Sequence, residues 1–160
     1  MRVVVADTSP LFYLLSIGNI DLLPQLFGTV FVPGAVHKEL CHPAASTVVR
    51  DWANHPPGWL KITAVDIVDD SAFVPLDAGE RAAITLALFL SADLILIDER
   101  KGTNVALGKG FEVTGTLGVL GLAARRGLVD LAASFARLKR TNFRYRQEIM
   151  DALLDEQTSS

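Results

Sequence analysis

Four carboxylates stand where this sequence is able to do chemistry. Asp7 ends the apolar run Val3-Val4-Val5-Ala6, and Asp98 ends Leu94-Ile95-Leu96-Ile97. A short apolar run bounded by polar signals reads as a buried strand of a parallel sheet. An acid at the next position then sits at the carboxyl end of the strand, where open α/β sheets place their ligands. Glu39 lies one turn into the helix expected after Val30-Phe31-Val32, and Glu80 opens the helix expected over 78–91. Bare acids gathered in a cleft repel one another and invite a divalent cation. Hard oxygen donors of this kind suit Mg2+ or Mn2+. The chemistry that follows is in-line attack on phosphorus, which needs positioning and neutralised charge more than a protein nucleophile. No histidine is then required as a base.

Each acid also has a purely structural role open to it. Glu39 suits a solvated helix surface. Asp77 and Glu80 stand three apart at a helix start, as in a capping box, and capping and ligation are compatible. The other chemical signals are weaker. His37, His42 and His55 lack zinc-ligand spacing and suit surface or capping roles. Cys41 is the only cysteine, so intrachain disulfides and thiolate zinc clusters are excluded, and a buried thiol is expected. Gly108-Lys109-Gly110 is not followed by Ser or Thr and is no P-loop. Thr116 suits either a helix cap or a hydroxyl presented to phosphate, with Gly115 permitting close approach.

The elements that must position these residues alternate. Residues 2–6 read as a first strand, followed by a helix through 11–15 that Gly18 ends. A second helix closes near Phe27 and Gly28, and the strand Val30-Phe31-Val32 closes at Pro33. Helices are expected around 36–40 and 44–54, then a strand within 59–65 at the sheet edge. The strong helix 78–91, strand 94–97, helix 99–108 and strand 112–114 follow. Helices 117–126, 130–140 and 143–155 lead to a polar tail, 156–160. Strands separated by helices predict a three-layer α/β/α sandwich with a central, mostly parallel sheet and right-handed crossovers. Residues 1–155 are expected to form a single domain.

Five segments in order carry a family resemblance: Asp7-Thr8-Ser9, Val36-His37-Lys38-Glu39-Leu40, Asp77-Ala78-Gly79-Glu80-Arg81-Ala82-Ala83-Ile84, Leu96-Ile97-Asp98-Glu99-Arg100-Lys101-Gly102, and Val113-Thr114-Gly115-Thr116-Leu117-Gly118-Val119-Leu120. The chain resembles the PIN domain, and within it the prokaryotic branch of VapC-type toxin ribonucleases. The resemblance implies a Mg2+- or Mn2+-dependent ribonuclease, commonly the toxin of a toxin–antitoxin pair, using Asp7, Glu39, Glu80 and Asp98. On this reading Asp7, Glu80 and Asp98 hold the ion, while Glu39 supports it or orients water. Ser9 and Thr116 contact water or phosphate, and Arg100 and Lys101 steer the RNA backbone. The chain departs from the family pattern at Thr114-Gly115-Thr116, where a further acid is common; Glu99 or Asp77 are candidates to replace it. The alternative is a catalytically silent PIN-like module that binds RNA or a protein.

Composition bounds these readings. The chain has 160 residues, a net charge of −3 and 50% hydrophobic residues. No apolar stretch reaches the roughly 18 residues of a membrane span, and Asp7 interrupts the start too early for a signal peptide, so the cytoplasm is expected. Residues 121–147 hold Arg125, Arg126, Arg137, Lys139, Arg140, Arg144 and Arg146 against one acid, Asp130, while the first part of the chain is acidic. An acidic cleft with a basic flank suits a polyanion. The apolar helices 11–15 and 117–124 suggest surface that a partner covers, with a homodimer preferred and an antitoxin added by the resemblance.

Overall fold

The computed structural model describes residues 2–158. Its strands are β1 (Val4–Ala6), β2 (Val30–Pro33), β3 (Leu60–Thr63), β4 (Leu94–Leu96) and β5 (Glu112–Thr114). They form one sheet in the order β3-β2-β1-β4-β5, and every pairing is parallel. A wholly parallel sheet follows because every connection between strands carries a helix and none is a tight hairpin. β3 lies at an edge, as the sequence predicts.

Alternation along the strands builds two cores. Val4, Ala6, Leu94 and Leu96 face one side with α1 (Thr8–Ser16), α2 (Leu22–Phe27), α3 (Gly34–Leu40) and α4 (Thr47–Asn54). That side is completed by α7 (Thr116–Arg125), α8 (Leu131–Lys139) and α9 (Gln147–Thr158). Val5, Ile95 and Ile97 face the other side with α5 (Ala78–Leu90) and α6 (Arg100–Gly108). A sheet covered on both faces explains why its strands read as unbroken apolar runs. The result is the expected three-layer α/β/α sandwich.

Three expectations change. The helix expected from residue 44 starts at Thr47, because the Ser46 hydroxyl accepts the Val49 N–H at 3.4 Å and caps it. α9 starts at Gln147 rather than 143 and runs on to Thr158; Ser159 and Ser160, the end of the expected tail, lie outside the described residues. The segments 11–15 and 117–124 are not exposed apolar surface. Leu11, Leu14 and Leu120 are fully buried, because α1 packs on α3, α4 and α7, and α8 and α9 pack on α7.

The strand order places the site. The chain runs outward from β1 to β3, then returns to lay β4 and β5 on the opposite side of β1. A crevice opens at the carboxyl ends of two strands whose connections diverge in this way. The Asp7 N–H donates to the Leu96 carbonyl at 2.9 Å, and the Ile97 N–H to the Thr114 carbonyl at 3.0 Å. The ladder thus continues past the strands and sets Asp7 and Asp98 at neighbouring strand ends.

Candidate active site

A cleft of about 490 Å³ opens at that point, and Asp7, Glu39, Glu80 and Asp98 all line it, joined by Asp77 and Glu99. Six carboxylates face one basic side chain, Arg144, among the described residues lining the cleft.

The triplet Asp7-Thr8-Ser9 organises three of the acids. Asp7 takes the N-cap position of α1 but makes no capping bond with its side chain. It is 6% exposed. Burial pushes its carboxyl up to about 8, and the charges of Asp77, Glu80 and Glu39 push the same way against one backbone hydrogen bond from Thr8. The Thr8 hydroxyl donates to Glu39 Oε2 at 2.7 Å. The Ser9 hydroxyl donates to Asp98 Oδ2 at 2.9 Å. Glu39 is exposed, as its surface reading expects, yet it is tied into the cleft through Thr8.

Asp98 is held most firmly. The Thr116 N–H donates to Oδ1 at 2.6 Å and the Thr116 hydroxyl to Oδ2 at 2.7 Å. Burial raises the Asp98 carboxyl above its usual range, and the bonds from Thr116 and Ser9 pull it back. Thr116 does not cap α7; Gly115 holds the cap position and Thr116 is fully buried. The hydroxyls of Ser9 and Thr116, expected from sequence to contact water or phosphate, both donate to Asp98. A Cβ on Gly115 would stand 2.5 Å from Asp98 Oδ1, and one on Gly118 would run into the Thr114 hydroxyl. These contacts account for both glycines of Gly115-Thr116-Leu117-Gly118. Thr116→Val keeps the side-chain shape and removes one donor from a buried carboxylate. We expect about 1–3 kcal/mol of lost stability in urea unfolding. Any metal-dependent turnover is expected to fall roughly 10- to 100-fold, as for groups that orient a ligand.

Glu80 caps its helix, as its sequence context predicts. Its N–H donates to Asp77 Oδ1 at 2.8 Å, and its Oε1 accepts the Asp77 N–H at 3.0 Å, completing a capping box. Its Oε2 is buried with no hydrogen-bond partner among the described residues. Burial, reinforced by the charges of Asp77 and Glu99, raises its carboxyl. A Cβ on Gly102 would stand 2.7 Å from that Oε2, and one on Gly79 would stand 2.5 Å from Glu39 Oε1 and 3.3 Å from Asp7 Oδ1. Glycines at 79, 102 and 115 thus leave room for Glu39, Glu80 and Asp98.

This donor set fits a hard cation. All the donors are oxygens, one buried carboxylate oxygen lacks a partner, and Asp7 is costly to ionise without a positive charge beside it. Among the described residues no three acids, histidines or cysteines stand together closely enough to hold one ion between them. An ion that keeps several of its waters needs few protein ligands.

Some expected residues lie elsewhere. Arg100 and Lys101 are exposed on the first turn of α6 and do not line the cleft. His37 Nε2 lies 2.8 Å from the Ala53 carbonyl and 3.4 Å from Cys41 Sγ, and this thiol is half-buried rather than buried. Sequence reasoning missed Thr8, Phe12, Tyr13, Asn142, Phe143 and Arg144 as cleft residues. Tyr13 was within reach, since it follows Ser9 by one helical turn and shares its face. For Arg144 the only signal was the basic run.

Fold and site define an α/β sandwich with an acidic cleft at the turning point of a parallel sheet. A family model described as DUF3368, PIN domain, matches residues 3–159. The chain belongs to the PIN-domain family, whose members are in general nucleases. No curated protein and no solved structure matched the chain.

Proposed function

We propose that this protein is a Mg2+- or Mn2+-dependent endoribonuclease contained in a single domain. The observation that carries the reading is the arrival of Asp7, Glu39, Glu80 and Asp98, from four different elements, in one cleft. Asp7, Glu80 and Asp98 would hold the ion. When bound, it would lower the pKa of a water and offset charge on the scissile phosphate. The protein's own residues do the rest. Ser9 and Thr116 hold Asp98 in one pose, Thr8 aims Glu39, and the capping box fixes Glu80. Arg144 meets phosphate at the cleft, and Arg100 and Lys101, farther out, draw in the strand. Structured RNA is expected to be cut with Mn2+ and left whole with EDTA. Asp98→Asn is expected to lose about 10³-fold in rate, the scale of a missing transition-state stabiliser. Undiminished cleavage by Asp98→Asn refutes the assignment.

A second reading, a silent module that binds RNA or protein, is favoured by the lack of an acid at Thr114-Gly115-Thr116. Calorimetry separates the two, since a silent module gives no heat with Mn2+. A toxin role, an antitoxin partner, a homodimer and a cytoplasmic location belong to the same proposal. Exposed Phe89 and Val74 are better candidates for a partner surface than the buried helices named from sequence. No helix among the described residues is long and apolar enough to cross a membrane.

A further inference from the structure

The cleft that holds the acids is also lined by aromatic rings, Phe12, Tyr13 and Phe143. Phe12 and Tyr13 continue the α1 face that begins with Thr8 and Ser9, and Phe143 meets them from the segment between α8 and α9. Tyr13 and Phe143 pack edge to face with centroids 4.9 Å apart, and Phe12 and Tyr13 do the same at 5.0 Å. The Tyr13 hydroxyl donates to Asn142 Oδ1 at 2.8 Å. The Phe143 N–H donates to the Thr141 hydroxyl at 3.1 Å, and that hydroxyl donates to the Leu138 carbonyl at 2.6 Å. This lining is thus set in place across 130 residues of chain before any ligand arrives. Its rings are half-buried rather than sunk in the core, and they border open space. Tyr13 lies within electrostatic reach of both Asp98 and Arg144.

Acids, aromatic rings and one guanidinium lining a single cleft match the parts of a nucleotide. We infer that Tyr13 and Phe143 form a stacking subsite for the nucleobase next to the scissile phosphate, with Arg144 on the neighbouring phosphate. The inference rests on the nuclease reading and adds the recognition element to it. Stacking on a ring is tolerant of base identity, because every base has a π-face. The subsite therefore selects an unstacked nucleotide rather than a sequence, and a base held within a duplex cannot enter it.

The test compares a labelled oligouridylate with an abasic ribose-phosphate strand of equal length, by fluorescence anisotropy. It uses the Asp7→Asn protein, which holds a strand without cutting it. The oligouridylate is expected to bind roughly 10- to 100-fold more tightly than the abasic strand. Tyr13→Leu and Phe143→Leu should bring that ratio near one, and Phe143→Trp should keep it. Thermal melting of each variant shows that the fold is retained. A ratio near one in the parent, or a ratio unmoved by both leucine variants, overturns the subsite. The nuclease reading is read separately, from Mn2+-dependent cleavage by the wild type. Cleavage with a ratio near one removes the subsite alone, whereas absent cleavage with absent Mn2+ binding removes both.

Discussion

Replacing Asp7 by Asn is expected to stop cleavage and, in metal-free buffer at alkaline pH, to make the protein more stable. The two effects share one cause. Asp7 is buried at the end of β1, its side chain caps nothing, and its carboxyl is raised from 3.8 to about 8. Between those values the fold keeps a proton that the unfolded chain has shed. The resulting stability is complete below pH 3.8, declines as pH rises, and is lost on passing through about 8. An uncharged amide of the same shape removes this decline. Part of the gain is offset, because the amide is buried with few partners. A net rise on the order of 2–4 kcal/mol at pH 8.5 corresponds to roughly 5–15 °C in melting temperature. Wild type should lose melting temperature steadily from pH 5 to 8.5, and Asp7→Asn should give a much flatter profile. Mn2+ should restore the wild type at high pH and leave the variant unmoved. Parallel profiles for the two proteins would show that Asp7 is not the buried acid responsible.

This tension explains why parts of the site were legible in the sequence and others were not. Asp7 and Asp98 were legible because a carboxylate directly after a buried apolar run has no packing role, and strand ends are where α/β sheets expose their chemistry. Glu80 was legible as a cap, since its spacing from Asp77 announces the capping box and the helix start fixes its pose in the cleft. β1 and β4 were legible for the same reason as the two aspartates, and β5 runs over Glu112–Thr114, where the alternation of strands and helices places it. What escaped was pairing across the chain. Nothing local says that Thr8 reaches Glu39, or that Thr116 gives both its donors to Asp98. Hydropathy also marks a helix as apolar without saying what covers it. The segments 11–15 and 117–124 therefore read as free surface, although neighbouring helices cover both, α3, α4 and α7 over the first and α8 and α9 over the second. The aromatic lining has the same origin, because Tyr13 and Phe143 meet only after the whole chain has folded back on α1.

Gly115→Ala is expected to damage activity far more than Gly79→Ala, although both add one methyl beside a carboxylate oxygen at 2.5 Å. Gly115 has extended backbone, φ −108 and ψ −170, which alanine adopts without strain, so its effect is one of space alone. The oxygen it would strike belongs to Asp98, which three donors from Thr116 and Ser9 hold in place, and the Ile97 carbonyl lies 3.3 Å from the same methyl. Neither neighbour gives way cheaply. The strand end or the acid must move, at about 1–3 kcal/mol of stability. A displacement of that kind costs roughly 10²-fold in rate. At Gly79 the struck atom is the far end of exposed Glu39, which swings aside at the cost of its bond from Thr8, Asp7 Oδ1 lies 3.3 Å from the same methyl, and alanine is favoured over glycine within a helix by about 1 kcal/mol. Gly79→Ala should therefore be neutral or stabilising in urea while it turns Glu39 out of the cleft. Set beside Glu39→Gln, which adds no methyl near Asp7 Oδ1, its rate separates out Glu39: a modest fall in both marks that residue as a support for the other three acids, and a collapse of both to the level of Asp98→Asn makes it their equal. Equal losses of stability in the two alanine variants would show that Asp98 is not the rigidly held member of the set.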